Sequence, residues 1–242
     1  MKKLLIALPL FFSLSAEADV VESIEKFTDV FSISATQVDG ETEFKLDANY
    51  YLTESLRAFG NIDTATNWEV GFGYSFWSGE TYFTENTIKA TEHTYSTGLF
   101  AAKSLSDAWL VLGDVNYNYR KDIEDPFCSP LNLCIDNLEY RRADTVSYSL
   151  GLMWSPVHYA DFMYRFNHEV GVDKDYLTGF GIDRELFPKI YDALESKSRF
   201  NQHYHEFSLM LEVYFLKPTV TYNVYEDSKR NYVEFGLSFD FK

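Results

Sequence analysis

The last ten residues of this chain alternate strictly between apolar and polar side chains. One face of the segment carries Val233, Phe235, Leu237, Phe239 and Phe241, and the other carries Tyr232, Glu234, Gly236, Ser238 and Asp240. A period of two residues is the period of a β-strand, whose successive side chains point to opposite sides. A strand that is fully apolar on one face and polar or small on the other fits a wall between lipid and a polar lumen.

The same alternation recurs along the chain and predicts the fold class. We predict an all-β protein, a transmembrane antiparallel up-and-down β-barrel of about 12 strands (10–14). The segment 78–92 is ambiguous, and a short strand near 80–86 with a polar loop to Glu92 fits it best. The alternative is a soluble lipocalin-like barrel or β-sandwich. It is disfavoured because few Leu, Ile or Val residues lie on the polar faces to build a second apolar layer.

Turn positions divide into two groups. Predicted turns on one side of the barrel are all short, at 53–55, 78–79, 104–107, 155–159 and 216–218. Two long loops, 121–140 and 171–200, fall on the other side, and the second contains a candidate helix at 185–196. Short periplasmic turns and longer external loops are typical of outer-membrane barrels. The long loops are also candidate gates or binding surfaces.

The N-terminus predicts export. Lys2 and Lys3 precede an apolar stretch from Leu4 to Leu14, and Ala16-Glu17-Ala18 forms an A-x-A cleavage site. The stretch is too short for a spanning helix of about 20 residues and contains Pro9. We therefore predict a cleaved signal peptide at 1–18, a short periplasmic lead at 19–26 and an outer-membrane barrel at 27–242.

Composition narrows the classes of partner. The formal net charge of −16 argues against nucleic-acid binding, which needs a basic surface. Aromatic residues make up 18% of the chain, which fits the aromatic girdles of a membrane barrel. The two cysteines, Cys128 and Cys134, lie close together in a polar segment, and in an exported chain we expect them to form a disulfide. A metal site there lacks nearby His ligands.

The polar faces of the strands supply the candidate functional residues. Pore-lining candidates are Glu43, Lys45, Asp47, Arg57, Glu69, Asp114, Arg120, Asp161, Arg165, Glu169, Glu206, Glu212 and Glu234. If a water-filled path exists, this surplus of carboxylates favours cations. The alternative is a closed lumen in which the arginines pair with the carboxylates, and a barrel of about 12 strands lies between the filled and open size classes.

The histidines are the candidate catalytic groups of a barrel enzyme. All five histidines lack a Ser two residues later, the spacing on which outer-membrane phospholipases and lipid A deacylases resemble one another. His203 and His205 share one face of a strand, but no third metal ligand is evident, so we expect two histidines at the membrane interface. The sequence predicts no catalytic residue, no metal and no cofactor; an enzyme is the least favoured class.

The signal peptide with Ala16 and Ala18, together with the segment Leu237-Ser-Phe239-Asp-Phe241, resembles those of small outer-membrane β-barrel proteins of Gram-negative bacteria. The segment resembles the signal that the barrel assembly machinery reads, with Tyr232, Phe235, Leu237, Phe239 and Phe241 as its residues here, although Lys242 follows Phe241. Such a barrel is porin-like or a solitary autotransporter-type barrel.

This resemblance implies a monomer in contact with outer-membrane lipid and lipopolysaccharide. Together with the acidic lumen, it predicts a narrow porin or channel for small solutes with cation preference. The alternative is a non-conducting structural or surface-interaction barrel, such as an adhesin or receptor.

Overall fold

The computed structural model describes residues 31–38, 41–124, 127–128, 134–135, 139–178 and 199–239. The predicted signal peptide, the periplasmic lead, the candidate helix at 185–196 and Phe241 lie outside these ranges. Within them the strands are β1 (Phe31–Val38), β2 (Glu41–Tyr51), β3 (Leu56–Asp63), β4 (Trp68–Gly79), β5 (Tyr82–Thr91), β6 (Thr94–Ser106), β7 (Trp109–Arg120), β8 (Ile123–Glu124), β9 (Phe127–Cys128), β10 (Cys134–Ile135), β11 (Glu139–Arg141), β12 (Thr145–Val157), β13 (Ala160–Gly171), β14 (Tyr176–Thr178), β15 (Asn201–Leu211), β16 (Leu216–Tyr225) and β17 (Tyr232–Phe239).

Twelve of these strands close into an antiparallel barrel. Their order around the wall is β1-β17-β16-β15-β13-β12-β7-β6-β5-β4-β3-β2, and β2 returns to β1. Closure pairs the first and last strands along their length, with Ser34 opposite Gly236 and Thr36 opposite Glu234. The predicted fold class and strand number are therefore confirmed. A closed wall leaves no unpaired edge, which is what a sheet needs in order to stand in lipid.

The two ends of the barrel differ in their connections. Five connections of two to four residues, 52–55, 80–81, 107–108, 158–159 and 212–215, lie at one end, which we call the short-turn end. The segments 121–144 and 172–200 leave from the opposite, long-loop end. There β11 pairs with both β8 and β14, so backbone from the two long segments forms one small sheet. The sequence had predicted two separate loops.

Two predictions of strand extent were wrong. The turn predicted at 216–218 lies inside β16, and the connection before it is 212–215. The strand expected near 80–86 runs as β5 from Tyr82 to Thr91, and the polar loop shrinks to the turn at 92–93. The outward face of this strand carries Thr84 and Asn86 before Ile88, so its alternation is weak in the sequence. Pairing with β4 and β6 along its whole length compensates for that weak pattern.

The outer face of the barrel is apolar, with rings of aromatic side chains at both ends. At the short-turn end the Trp109 and Trp154 rings stack with centroids 5.8 Å apart, and the Trp154 and Phe162 centroids are 5.6 Å apart. At the long-loop end the Tyr95 and Tyr119 rings stack at 6.3 Å. Two aromatic girdles around an apolar band are the outer surface of a membrane barrel. In the part of the chain that the structure describes, no helix is long and apolar enough to span a bilayer.

Candidate functional site: the lumen of the barrel

The inner face of the barrel carries the predicted pore-lining residues, with Glu212 as the exception. Strand register fixes this placement, because residues opposite one another share a face: Arg165 lies opposite Glu206, and Lys45 lies opposite Ser34 and Asp63. Glu212 follows the end of β15, where its backbone N–H donates to the Tyr159 carbonyl oxygen at 2.9 Å. It lies at the short-turn rim rather than on the wall.

Arg57 and Glu85 form an ion pair inside the lumen that spans a strand. The Arg57 guanidinium donates to both Glu85 oxygens, at 2.6 and 3.2 Å, and to Asn49 Oδ1 at 2.7 Å. Arg57 is on β3 and Glu85 on β5, so the pair passes over β4 at Gly73. A Cβ at position 73 would collide with the Glu85 carboxylate. A larger residue at this position would therefore displace the Glu85 carboxylate from where it meets Arg57.

A second pair spans β12 in the same way. Arg165 on β13 contacts the Asp114 carboxylate on β7, and its Nε donates to Ser149 Oγ on β12 at 2.9 Å. The Ser149 hydroxyl also donates to Asp114. Gly151 lies between Leu112 and Arg165 in the register, and a Cβ there would stand 2.8 Å from Leu112 Cδ1. Small residues on β12 again make room for long side chains from both neighbouring strands.

Three further lumen cations also have carboxylate partners. Lys45 Nζ lies 2.9 Å from Asp47, Lys89 Nζ lies 3.0 Å from Glu69, and Arg120 lies 3.4 Å from Asp175. Asp175, which lies in the loop predicted at 171–200, also accepts the Ala143 N–H at 2.8 Å and so joins the bases of the two long segments. The basic candidates of the lumen are thus held in ion pairs.

Three carboxylates face the lumen from β2, β17 and β15, with one strand between each and the next. Glu234 is opposite Thr36 on β1 and Thr221 on β16, Thr36 is in turn opposite Glu43, and Thr221 is opposite Ser208, two residues from Glu206. We call Glu43, Glu206 and Glu234 the acidic wall. Within the described ranges none of the three forms an ion pair, unlike the carboxylates around Arg57 and Arg165.

An apolar surface faces the lumen near the short-turn end, and the sequence analysis missed it. Seven side chains on β5, β6, β7, β12 and β13 pack together and form what we call the apolar wall. They are Phe83, Phe100, Ala102, Leu110, Leu112, Met153 and Met163. Leu110 and Met153 are opposite each other and only 3% and 4% exposed. The sequence does indicate this apolar surface at the start of β7. There Trp109-Leu-Val-Leu112 is apolar on both faces, as in a strand that is buried on both sides.

A cavity of about 360 Å³ lies against this apolar wall. All its lining residues face the lumen: Tyr51, Arg57, Phe83, Glu85, Thr87, Lys89, Phe100, Leu110, Leu112, Asp114, Asn116, Met163 and Arg165. Its volume is within the range of small-molecule sites, and its lining combines an apolar floor with a few placed polar groups, as such sites do. Both strand-spanning ion pairs stand at its edge.

Two groups of candidate residues remain, the histidines of β15 and the two cysteines. His203 and His205 face outward at the long-loop end, where the Tyr164 hydroxyl lies 2.9 Å from His205 Nδ1. Across the residues that the structure describes, no three His, Cys, Asp or Glu side chains are grouped so that they could hold a metal. Backbone pairing places Cys128 directly opposite Cys134. The disulfide itself stays a prediction, because the side chains of this hairpin lie outside what is described.

The residues of the assembly signal divide between the two faces of β17. Phe235, Leu237 and Phe239 face outward with the lipid-facing residues of β1 and β16, and Tyr232 faces the lumen opposite Asn223. Recognition of these residues by the barrel assembly machinery stays a prediction.

Comparison with known proteins places the fold. No protein-family model and no curated protein matches the chain. Among solved structures, the chain resembles the NanC porin (8% identity, TM-score 0.61, covering 87% of this chain and 100% of that one). It also resembles the KdgM porin (10%, 0.56, 88% and 99%) and an outer-membrane channel from Pseudomonas putida F1 (11%, 0.53, 86% and 92%). The chain has the fold of a porin-like outer-membrane barrel.

Proposed function

We propose that this protein is a narrow outer-membrane channel for small solutes, with a preference for cations. The single observation that carries the cation preference is the imbalance of lumen charge: each of Lys45, Arg57, Lys89, Arg120 and Arg165 is held by a carboxylate, while the acidic wall has no such partner. Charge of one sign along a confined path raises the local concentration of the opposite ion.

The porin-like fold supports the channel part of the proposal. The neighbours are described as porins and a channel, and one KdgM structure as a complex with disordered oligogalacturonate, an anionic polymer. The acidic wall here would repel such a polymer, so we do not expect it to be a solute of this protein. Nothing in the proposal requires an enzyme or a cofactor.

Location and assembly belong to the same proposal. The aromatic girdles and apolar outer face suit a bilayer, and the predicted signal peptide 1–18 would direct the chain through the periplasm to the outer membrane. The short-turn end would then face the periplasm and the long segments the exterior. The barrel assembly machinery would read the C-terminal strand, and lipid and lipopolysaccharide would surround a monomer.

A non-conducting barrel is the second candidate, and one observation favours it. Several inward side chains near the short-turn end are almost completely buried, among them Leu110, Met210 and Lys217 at 3–5% exposed. Filled positions of this kind are typical of small barrels whose lumen is closed. In that case the long segments would carry a structural or surface-interaction function.

The test is ion selectivity of the refolded protein in a planar bilayer under a KCl gradient. We expect discrete conductance steps and a reversal potential on the cation side. Glu43→Gln with Glu206→Gln and Glu234→Gln should lower the K⁺/Cl⁻ permeability ratio at least about twofold, because the unpaired charge is removed while side-chain size is kept.

Two matched variants serve as controls. Glu54→Gln removes an exposed carboxylate in a short turn, and Glu212→Gln removes one at the rim, so neither should approach the effect of the triple variant. A silent barrel that is correctly folded would reject the channel. If the protein conducts but the triple substitution leaves the K⁺/Cl⁻ permeability ratio unchanged, the acidic wall does not set the selectivity.

A further inference from the structure

We infer that the cavity against the apolar wall binds small organic cations with an apolar body, such as alkyl- and arylammonium compounds. The inference deepens the proposed function, on which it rests, by naming the class of solute.

The apolar floor of the cavity selects against simple ions and sugars. Phe83, Phe100, Leu110, Leu112 and Met163 form a continuous part of the lining. A hydrated inorganic ion gains nothing from such a surface, and hydroxyl groups pressed against it would lose their hydrogen bonds. An alkyl or aryl group gains about 25 cal/mol for each Å² of apolar area it removes from water. The occupant should therefore carry an apolar group of several carbons.

Charge at the edge of the cavity selects for a positive end. The three lining cations are already engaged, Arg57 with Glu85, Arg165 with Asp114 and Lys89 with Glu69. The acidic wall begins directly beside the lining: Glu206 is the register partner of Arg165 and forms no ion pair in the described structure.

Beyond Glu206, the other members of the acidic wall continue the negative surface. Glu234 is opposite Thr221, which is in turn opposite Ser208, two residues from Glu206. An ammonium group at this edge meets the Glu206 and Glu234 carboxylates, which form no ion pair in the described structure, whereas a carboxylate ligand would face their like charge.

Aromatic rings in the floor add a second attraction for the same ligand. The Phe83 and Phe100 rings meet edge to face, with centroids 6.1 Å apart. An aryl group can extend this packing, and an ammonium near a ring face is attracted by the ring quadrupole. Size, apolar lining and charge thus favour one class of solute.

The experiment measures binding, so that it does not depend on conductance. Refolded full-length barrel in detergent micelles is titrated calorimetrically with methylammonium, butylammonium, benzylammonium and benzoate. We expect affinity to rise from methylammonium to benzylammonium, by at most about fourfold for each fully buried methylene, and benzoate to bind more weakly than benzylammonium.

Variants assign that binding to the cavity. Leu112→Asn should weaken benzylammonium several-fold and leave methylammonium unchanged, and Leu112→Ala is the milder variant should Leu112→Asn fail to fold. Glu206→Gln should weaken both ammonium ligands. Glu169→Gln, which removes a lumen carboxylate four residues along β13 from the Arg165–Glu206 register pair, is the matched control and should change neither; it also corrects for partition into the micelle.

The outcomes separate the two proposals. Equal affinity across the ammonium series, benzoate binding as tight as benzylammonium, or no effect of the Leu112 variants would overturn the organic-cation site, even in a cation-selective channel. Graded, Leu112-dependent binding to a barrel that does not conduct would instead reject the channel and leave the site as a receptor pocket.

Discussion

The apolar wall and the acidic wall lie on the inner face of the same barrel, yet they are held in opposite ways. Side chains of the apolar wall pack against one another, and Leu110 and Met153 are almost inaccessible to water. Glu43, Glu206 and Glu234 stand on strands that carry Ser, Thr and Asn between them, as at Thr221 and Ser208. One wall has the packing of a protein core, and the other has the surface of a polar pore.

The difference shows how a small barrel divides its lumen. The two strand-spanning ion pairs, Arg57 with Glu85 and Arg165 with Asp114, lie along the boundary of the apolar wall, where they meet both packed side chains and the cavity. Neutralising charge there permits apolar packing nearby. Leaving the acidic wall without cations keeps a net negative surface for solutes.

Removing the cation from the apolar side should have the largest effect on stability. Arg57→Ala leaves the Glu85 carboxylate, whose side chain is 4% exposed, without its partner, and we expect a loss of about 3–5 kcal/mol in the free energy of unfolding. Equilibrium denaturation in lipid vesicles, followed by tryptophan fluorescence, measures it. The double variant Arg57→Met with Glu85→Leu should recover most of the loss. If the single variant is no less stable than the double, the ion pair is not what supports this side of the lumen.

A leucine in the apolar wall should count for more than a leucine that faces lipid. Leu110→Ala should lower the free energy of unfolding by about 2–4 kcal/mol, because it leaves a cavity among packed neighbours. Leu150→Ala on the outer face should cost about 1–2 kcal/mol, since lipid fills the space and only the transfer term is lost. The same denaturation experiment compares the two. Equal losses would mean that the apolar wall is not packed as a core.

A lysine placed in the acidic wall should change selectivity with little change in stability. Thr221 lies between Glu234 and Ser208 on the inner face, so Thr221→Lys sets a cation beside the unpaired carboxylates. We expect the reversal potential to move towards zero and the free energy of unfolding to change by less than about 1 kcal/mol. Thr221→Gln, of similar reach and without charge, is the control. A shift of equal size with glutamine would show that the lysine acts through size and not through charge.

The alternation of side chains was sufficient to predict the fold class and the approximate strand number. Segments such as Phe44 to Leu52 show the period of two directly, and the register places Glu43, Lys45 and Asp47 on one face of β2. Turn length predicted which end carries the long segments. These features are local, because the pleat of a strand sets the direction of each side chain from its position alone.

Which lumen residues meet depended on the tertiary structure. Arg57 and Glu85 are separated by a whole strand, and their contact passes over Gly73, so no spacing in the sequence predicts the pair. The apolar wall likewise draws on five strands, and single residues such as Met153 are unremarkable in their own strands. Barrel closure and strand register bring these side chains together, and they leave Glu43, Glu206 and Glu234 without an ion pair in the described structure. The sequence by itself determined the wall of the barrel, because a period of two is a property of the strand. Only the closed structure decided how the charges inside it are paired, because pairing depends on distances across neighbouring strands.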